Sequence, residues 1–410
     1  MGTGIESINA YVGRASVGVR ELFEDRDLDM NRFANLMMDQ RSVNLPCEDP
    51  VTNAVNAAKP IVDAMSPAER DRIELLVVGT ESGLDFGKPI STYVHHHLGL
   101  SPRCRSFEVK HACYGGTAAL MSAAGIVASS PIPGTKALAV ATDAASATAK
   151  ASYWEPSEGA GAVAMLVSDR PEILELDAGA SGYHTFEVMD TLRPRHDMDS
   201  VNPDLSLLSY MRCLEESFAA YRDRVAGADI VDTFDYLALH TPFAGMVKGA
   251  HRMLMRKQKR ASARDVEADF ASRISPSLAY GVRVGNTYSA ALYLALCSLI
   301  DNGRFAGPRR VGLFSYGSGC ASEFFSGVIT QAAQEKLAKR GLGAALDDRR
   351  RLTVEEFDAM ADLNEDRAFG VRDAVFDPKP YGDVFGSHFE DRGLLVLERI
   401  ADFHREYRWS

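Results

Sequence analysis

The amino-acid sequence predicts an α/β layered fold built from two related halves. Three observations predict it. Short apolar runs alternate with helical stretches rich in small residues, the pattern of packed strands and helices. Several runs are continuously apolar, as strands buried on both faces are. A weak internal duplication is also visible. HACYGGTAALMSAAGIVAS is followed some forty residues later by EGAGAVAMLVS, and VGNTYSAALYLALCSLI is followed by VGLFSYGSGCASEFFSGVI. Each pair reads as a reactive-looking turn, a small-residue helix, then a glycine-flanked apolar strand. The expected halves are 1–170 and 171–410.

The elements follow in chain order. IELLVVG (73–79) reads as a first buried strand, and GTAALMSAAGIVAS (116–129) as a helix. Its Ala, Gly and Ser residues suit a helix squeezed between two sheets. KALAVAT (136–142), GAVAMLVS (161–168), FDYLALH (234–240) and RVGLFSYG (310–317) read as further strands, with SAALYLALCSLIDNG (289–303) as a second central helix. From 332 to about 375 the chain is highly charged and helical in period, which predicts surface helices over the second half. GLLVLERIADFHREYRW looks like a last strand (394–399) returning to the sheet.

Bulk properties exclude several function classes. The chain has 410 residues, is 46% hydrophobic and 25% charged, and so supports a full globular core. Its net charge of −11 argues against nucleic acid as a general partner. No basic-then-apolar leader opens the chain, and no stretch reads as roughly 18 uncharged apolar residues, so neither export nor a membrane span is expected. The six cysteines are scattered and read as free thiols of a cytoplasmic protein.

One thiol stands out. In FEVKHACYGGTAALMSAA a short strand leads into Cys113, glycines follow, and a helix begins. A helix N-terminus favours a thiolate, and its free N–H groups can hold an oxyanion. The alternative is a small buried cysteine. His240 ends an apolar strand, where α/β proteins place their sites. It could hydrogen-bond a carbonyl or move a proton, or be structural. Glu81, in VVGTESGLDFGKP, is a carboxylate just past a strand; burial would raise its pKa and fit it for acid/base work. A turn or cap carboxylate is the alternative. Asn286 in VGNTYSA could orient a substrate or cap a helix. Gly317, Ser318 and Gly319 in SYGSGCAS could aim N–H groups into a site; this is no dinucleotide motif. His95, His96 and His97 would fan out over a helix surface and cannot share one ion, so no metal is expected.

Taken together, GTESGLDFGKP, HACYGGTAAL, LALHTPF, VGNTYSA and SYGSGCAS resemble the 3-hydroxy-3-methylglutaryl-CoA (HMG-CoA) synthase family of the thiolase superfamily, in order and over nearly the whole chain. NRFANLM, NAAKPIVDAM, STYVHHHLGL, EVMDT and HTPFAGMVKGAHR resemble its polyketide branch, which acts on acyl groups held by acyl carrier proteins (ACPs) and installs β-branches. The resemblance implies a thiolase-like αβαβα fold, a homodimer, and no cofactor beyond the phosphopantetheine arm of ACP or CoA. It implies an acetyl group passed from a donor ACP to Cys113 and condensed with the β-ketone of an acceptor ACP-bound polyketide. Water then cleaves the Cys113 thioester. Glu81 matches the family's acid/base residue, His240 would hold the acceptor, Asn286 would assist, and the N–H groups at Cys113 and Ser318 would stabilise the enolate oxygen. How Glu81 and His240 divide the proton transfers is open. Glu81 also separates the chain from type III ketoacyl-ACP synthases, which decarboxylate malonyl donors and need no such base.

An acidic carrier docking on an acidic enzyme needs a local basic patch. Lys248, His251, Arg252, Arg256, Lys257, Lys259 and Arg260 follow His240, and Lys248, Arg252, Arg256 and Arg260 recur every four residues. Arg32 is expected to join them. A solvated helix face is the alternative, and CoA phosphates would use the same charge. Two other readings stand: a CoA-using synthase of primary metabolism, and a non-catalytic thiolase-fold scaffold. The stretch DAASATAKASYW, between ATD (141–143) and WEPSEGAGA, is several residues shorter than the family's loop, which puts substrate preference in question.

Overall fold

The computed structural model describes residues 2–145, 150–195, 198–365 and 369–410. Nine strands form the main sheet: β1 (Gly4–Tyr11), β2 (Ile73–Gly79), β3 (Arg105–Val109), β4 (Lys136–Asp143), β5 (Gly161–Ser168), β6 (Leu174–Thr185), β7 (Tyr236–Leu239), β8 (Arg309–Gly317) and β9 (Ala321–Ile329). Their order is β7-β8-β9-β6-β1-β5-β4-β2-β3.

The pairings repeat. From β1 outward the neighbours run antiparallel to β5, antiparallel to β4, then parallel to β2. From β6 outward they run antiparallel to β9, antiparallel to β8, then parallel to β7. In the strand ladder the two sets are joined by the pairs Gly4↔Glu175 and Ile5↔Leu174. β3 extends the first set and has no counterpart in the second. All strands before residue 170 lie on one side of that seam and all later ones on the other.

Strand periodicity builds the layers. Alternate side chains face opposite ways, so Leu75 and Val77 enter one core while Leu76 and Val78 enter another. The first core also holds α2 (Gly115–Ser129), α5 (Ala291–Asn302) and the inward residues Ala238, Val311 and Leu313 of the second set. The outer core of the first set is closed by α1 (Pro50–Asp63), and that of the second by α3 (Pro203–Arg224) and α4 (Ala244–Lys259). The sequence of layers is therefore α, β, α, β, α, the thiolase-like arrangement. α1 starts sharply because Asp49 and Thr52 form a reciprocal capping box and Pro50 takes its first position.

The small residues of α2 have a steric reason. A Cβ on Gly116 would lie 2.2 Å from the Ser289 carbonyl oxygen and 2.9 Å from Ala141 Cβ. Ala112–Ser129 is an uncharged run of 18 residues, which corrects the expectation that no such stretch exists. Ala119, Leu120, Ala123 and Val127 place its helix in the core between the strand sets.

Two expectations about the C-terminal region fail. Leu395–Ala401 does not rejoin the main sheet; it pairs with Ala374–Val375 and His404–Trp409 in a separate three-stranded sheet. Asn56 exchanges hydrogen bonds with the Leu395 backbone and fixes that sheet against α1. The charged tail is only partly a cover for the second half. Arg350–Leu352 pairs in parallel with Ala15–Gly18, and Phe357 and Met360 of the following helix join Val17 and Val43 in a satellite core. Those long-range partners carry no signal in local periodicity.

Candidate active site

The site lies where the parallel strands β2, β4, β7 and β8 end, at the carboxyl edge where open α/β sheets place ligands. Beyond β2, residues 80–82 turn across the end of β4. Asp143, the last residue of β4, organises the turn. One oxygen accepts from Thr80 Oγ1 (2.9 Å), Glu81 N (2.8 Å) and Ser82 N (3.0 Å). The other accepts from Ser289 N (2.9 Å) and Ser289 Oγ, reaching into the second set of elements. Asp143 is fully buried. Sequence analysis passed over it; the polar Thr-Asp ending of an apolar strand was the available signal.

Cys113 sits in a tight turn between β3 and α2, after Ala112 in the left-handed region at φ +39°. A non-glycine residue there is strained, a feature that concentrates at functional sites. The Cys113 thiol contacts the Glu81 carboxylate and the Asn286 amide, so three of the expected residues converge on one sulfur. Asn286 fills both roles left open for it. Its side-chain carbonyl accepts from Tyr288 N (2.9 Å), capping a short 3₁₀ turn, while its amide faces the sulfur.

The electrostatics correct one expectation. The helix N-terminus does not leave Cys113 a resting thiolate. Burial, Glu81 and Asp143 together push its pKa well above the ordinary thiol value. Burial, then Asp143, raises Glu81 to about 8, against the opposing pull of Arg193 and of the Cys113 contact. Two buried carboxyl groups this close cannot both hold charge cheaply, so Glu81 and Asp143 titrate together as a pair beside the thiol. Glu81 Oε2 is buried with no hydrogen-bond partner, which leaves it open to a substrate proton.

His240 lies just past β7 and is 2% exposed. Its backbone N–H donates to Phe314 O (2.7 Å), and its backbone carbonyl accepts from Tyr210 Oη (2.7 Å). Burial lowers its pKa to about 3, so the imidazole is neutral and available as a hydrogen-bond donor. Gly317 closes the gap between β8 and the nucleophile turn. A Cβ there would lie 2.6 Å from Tyr114 N and 2.7 Å from His111 O. The following loop is laced to Phe186–Asp190: Cys320 N donates to Phe186 O (2.9 Å), Val188 N to Gly319 O (2.9 Å), and Gly319 N to Asp190 Oδ1 (3.0 Å). Among the described residues no backbone carbonyl takes the Ser318 N–H.

The basic run after His240 is less uniform than its spacing suggests. Lys248 pairs with Glu267 (2.9 Å), Lys257 with Glu215 (2.6 Å), and Lys259 with Asp229 (2.7 Å) and Asp232 (3.1 Å). His251 is buried and bound to Asp269 (2.6 Å), so it leaves the exposed patch. Arg252, Arg256 and Arg260 carry no ion pair among the described residues. Arg32, on the helix Met30–Leu36 that packs beside α4, stacks over Tyr153 at 4.4 Å. The shortened segment 144–153 is only partly visible here, because 146–149 fall outside the described residues. Among the described residues no group of three or more His, Cys, Asp or Glu side chains gathers as a metal-ligand set, and His95–His97 diverge along their helix, His95 toward Ser101 O (2.9 Å) and His97 toward Tyr407.

Comparison with known proteins identifies the family. Residues 3–171 match the family model for the hydroxymethylglutaryl-coenzyme A synthase N terminal, and residues 254–405 match that for its C terminal. The chain is 49% identical to the polyketide biosynthesis 3-hydroxy-3-methylglutaryl-ACP synthase PksG of Bacillus subtilis, over 99% of both chains. It is 37% identical to the hydroxymethylglutaryl-CoA synthase of Enterococcus faecalis, over 88% of this chain and 91% of that one. The crystal structure of the curacin biosynthetic pathway HMG synthase in complex with apo donor-ACP superposes with a TM-score of 0.97 at 49% identity, covering all of both chains. This chain belongs to the hydroxymethylglutaryl-CoA synthase family.

Proposed function

We propose that this chain is the ACP-dependent HMG synthase of a polyketide β-branching pathway. One observation carries the chemistry: the buried carboxyl of Glu81, with Oε2 left without a hydrogen-bond partner among the described residues, lies beside the thiol of Cys113. In the first step Glu81 takes the thiol proton as sulfur attacks the acetyl thioester of a donor ACP, and passes it to the departing phosphopantetheine thiolate. With Cys113 acetylated, the Glu81 carboxylate removes a methyl proton. The enolate oxygen is held by the N–H groups of Cys113 and Ser318. Its carbon attacks the β-ketone of the acceptor, whose oxygen is held by a hydrogen bond from neutral His240 and takes up the proton that Glu81 removed, which returns Glu81 to the carboxylate. Water then cleaves the Cys113 thioester, releasing a 3-hydroxy-3-carboxymethyl acyl chain and restoring the thiol.

The ACP rather than CoA reading is supported by the full-length likeness to the polyketide synthase, and by Arg252, Arg256 and Arg260, which have no carboxylate partners among the described residues and sit on or directly after α4, the helix that packs beside the helix of Arg32. The six free thiols suit a reducing, cytoplasmic setting. A homodimer is supported by β3, an edge strand with one side unpaired, and by the exposed aromatics Phe86 (98%) and Phe107 (37%) near it. The test is to mix the protein separately with acetyl-ACP and acetyl-CoA and weigh the Cys113 peptide. A gain of one acetyl group from acetyl-ACP, much faster than from acetyl-CoA, is the expected result. Equal or faster loading from acetyl-CoA points to primary metabolism, and no gain from either sinks the reading.

A further inference from the structure

Ser318 sits at the tip of a hairpin. β8 and β9 stay paired as far as Gly317↔Ala321, and residues 318–320 close the connection. Cys113 belongs to the first half of the chain and Ser318 to the second, so the spacing of their N–H groups depends on contacts between the halves. Strand side chains alternate between faces. Tyr316 turns to the outer core beside Tyr210, while Ser315 and Gly317 turn toward α2. Two hydrogen bonds grip the base of this hairpin. Tyr114, directly after the nucleophile, donates from Oη to Glu323 Oε2 at 2.8 Å. Thr117, one turn further and on the same face of α2, donates from Oγ1 to Ser315 Oγ at 2.7 Å and accepts from Tyr293 Oη of α5 at 2.8 Å. Ser315 and Glu323 are directly opposed in the β8–β9 ladder, so the two contacts hold both strands at one level. Thr117, Tyr293, Ser315 and Glu323 are all buried. A buried carboxyl group costs stability, and its neighbours Phe324 and Phe325 show that the strand otherwise takes apolar side chains there.

We propose that Glu323, together with Ser315, is a positioning residue for the oxyanion site. Through Tyr114 and Thr117 the pair clamps the Ser318 hairpin to the nucleophile turn and fixes the spacing between the N–H groups of Cys113 and Ser318. The inference rests on the reading of those two groups as the oxyanion donors. Gly317 is the contact point of the clamp, since a Cβ there would drive Tyr114 away from the hairpin. Oxyanion donors act because they are already aimed where charge develops, and losing one costs about a hundredfold or more in rate. Loosening the clamp forfeits part of that factor without touching the thiol.

The test compares two reactions of Cys113 in the full-length enzyme, each followed by intact mass. Acetylation by the acetyl thioester of N-acetylcysteamine passes through an oxyanion. Alkylation by iodoacetamide displaces iodide at a saturated carbon and needs no oxyanion donor. E323L and Y114F are each expected to slow the maximal rate of acetylation about tenfold or more, with half-saturation and the alkylation rate near the parent. E323Q keeps an oxygen that accepts from Tyr114 and is expected to restore most of the rate. The double variant Y114F/E323L should be no slower than the slower single one, because both remove the same contact. Acetylation that is unchanged in Y114F and E323L overturns the proposal. So does acetylation that falls in step with alkylation, the mark of a merely disturbed fold, or an E323Q as slow as E323L. If E323L does not fold, Y114F and E323Q decide by the same comparison. The parent is the control for the underlying reading. A parent that takes no acetyl group on Cys113 refutes that reading, whereas a parent that loads normally beside unaltered variants removes the clamp alone.

Discussion

At the scale of single residues, the site works by crowding carboxyl groups around one sulfur. Cys113→Ser exchanges the sulfur for a hydroxyl with a far higher pKa. No acyl-enzyme should accumulate, and turnover should drop by roughly a thousandfold or more; intact-mass spectrometry after acetyl-ACP addition checks both. Asp143 is the less obvious residue. It raises the pKa of both Glu81 and Cys113 while gathering hydrogen bonds from Thr80, Glu81, Ser82 and Ser289. Asp143→Asn should therefore lower both values, and alkylation of Cys113 by iodoacetamide near neutral pH should speed up. Condensation should slow in the same variant, because an amide cannot accept every bond the carboxylate takes. Unchanged alkylation would show that the charge of Asp143 does not reach the sulfur. Cys113, Glu81, His240 and Asn286 were readable from sequence because each follows an apolar strand or opens a small-residue helix. Asp143 was not, because its partner Ser289 lies 146 residues away.

At the scale of elements, strands were the most legible feature. IELLVVG and GAVAMLVS occupy the expected residues as β2 and β5, since a run buried on both faces needs apolar side chains throughout. The α2 helix was equally clear, and its glycines explain how it fits. Gly116→Ala forces a Cβ into the Ser289 carbonyl, so it should destabilise the fold by about 1–3 kcal/mol, visible as a lower Tm. Function at a helix surface was harder to read. Spacing placed Lys248, Arg252, Arg256 and Arg260 on one face, but periodicity does not report which cations have carboxylate partners from other helices. Glu267 takes Lys248 and leaves the arginines. Reversing Arg252 and Arg256 to Glu should slow acetyl transfer from acetyl-ACP about tenfold or more, mainly through association and most strongly at low salt. Transfer from the N-acetylcysteamine thioester should be unchanged; equal loss with both donors would remove the docking role.

At the scale of the whole molecule, the buried carboxyl groups set how stability varies with pH. Burial lifts Glu48 and Glu158 to about 7 and Glu81 to about 8. A carboxyl group whose folded-state pKa exceeds its unfolded value favours folding while protonated. Its contribution is complete below the unfolded value near 4.5 and is lost as pH rises through 7 and 8. Tm should fall across that range, and Glu81→Gln should raise Tm at pH 8.5 but not at pH 5; a parallel offset at both values would contradict the linkage. Assembly is the second property at this scale, and here charge works against it while surface shape favours it. A net charge of −11 repels a second copy, so association has to come from a local apolar and strand-edge surface. β3 supplies the edge, and Phe107 together with Phe86, whose ring meets Phe369 edge-on at 4.7 Å, supplies exposed apolar area. Pairing β3 with its copy would join the two nine-stranded sheets and bury both aromatics. Phe86→Asp with Phe107→Asp adds four negative charges to such an interface and leaves the three internal cores untouched. Sedimentation should show a dimer for the parent and a monomer for the variant at equal Tm. A parent that sediments as a monomer, or a variant that stays dimeric, would place the contact elsewhere or nowhere.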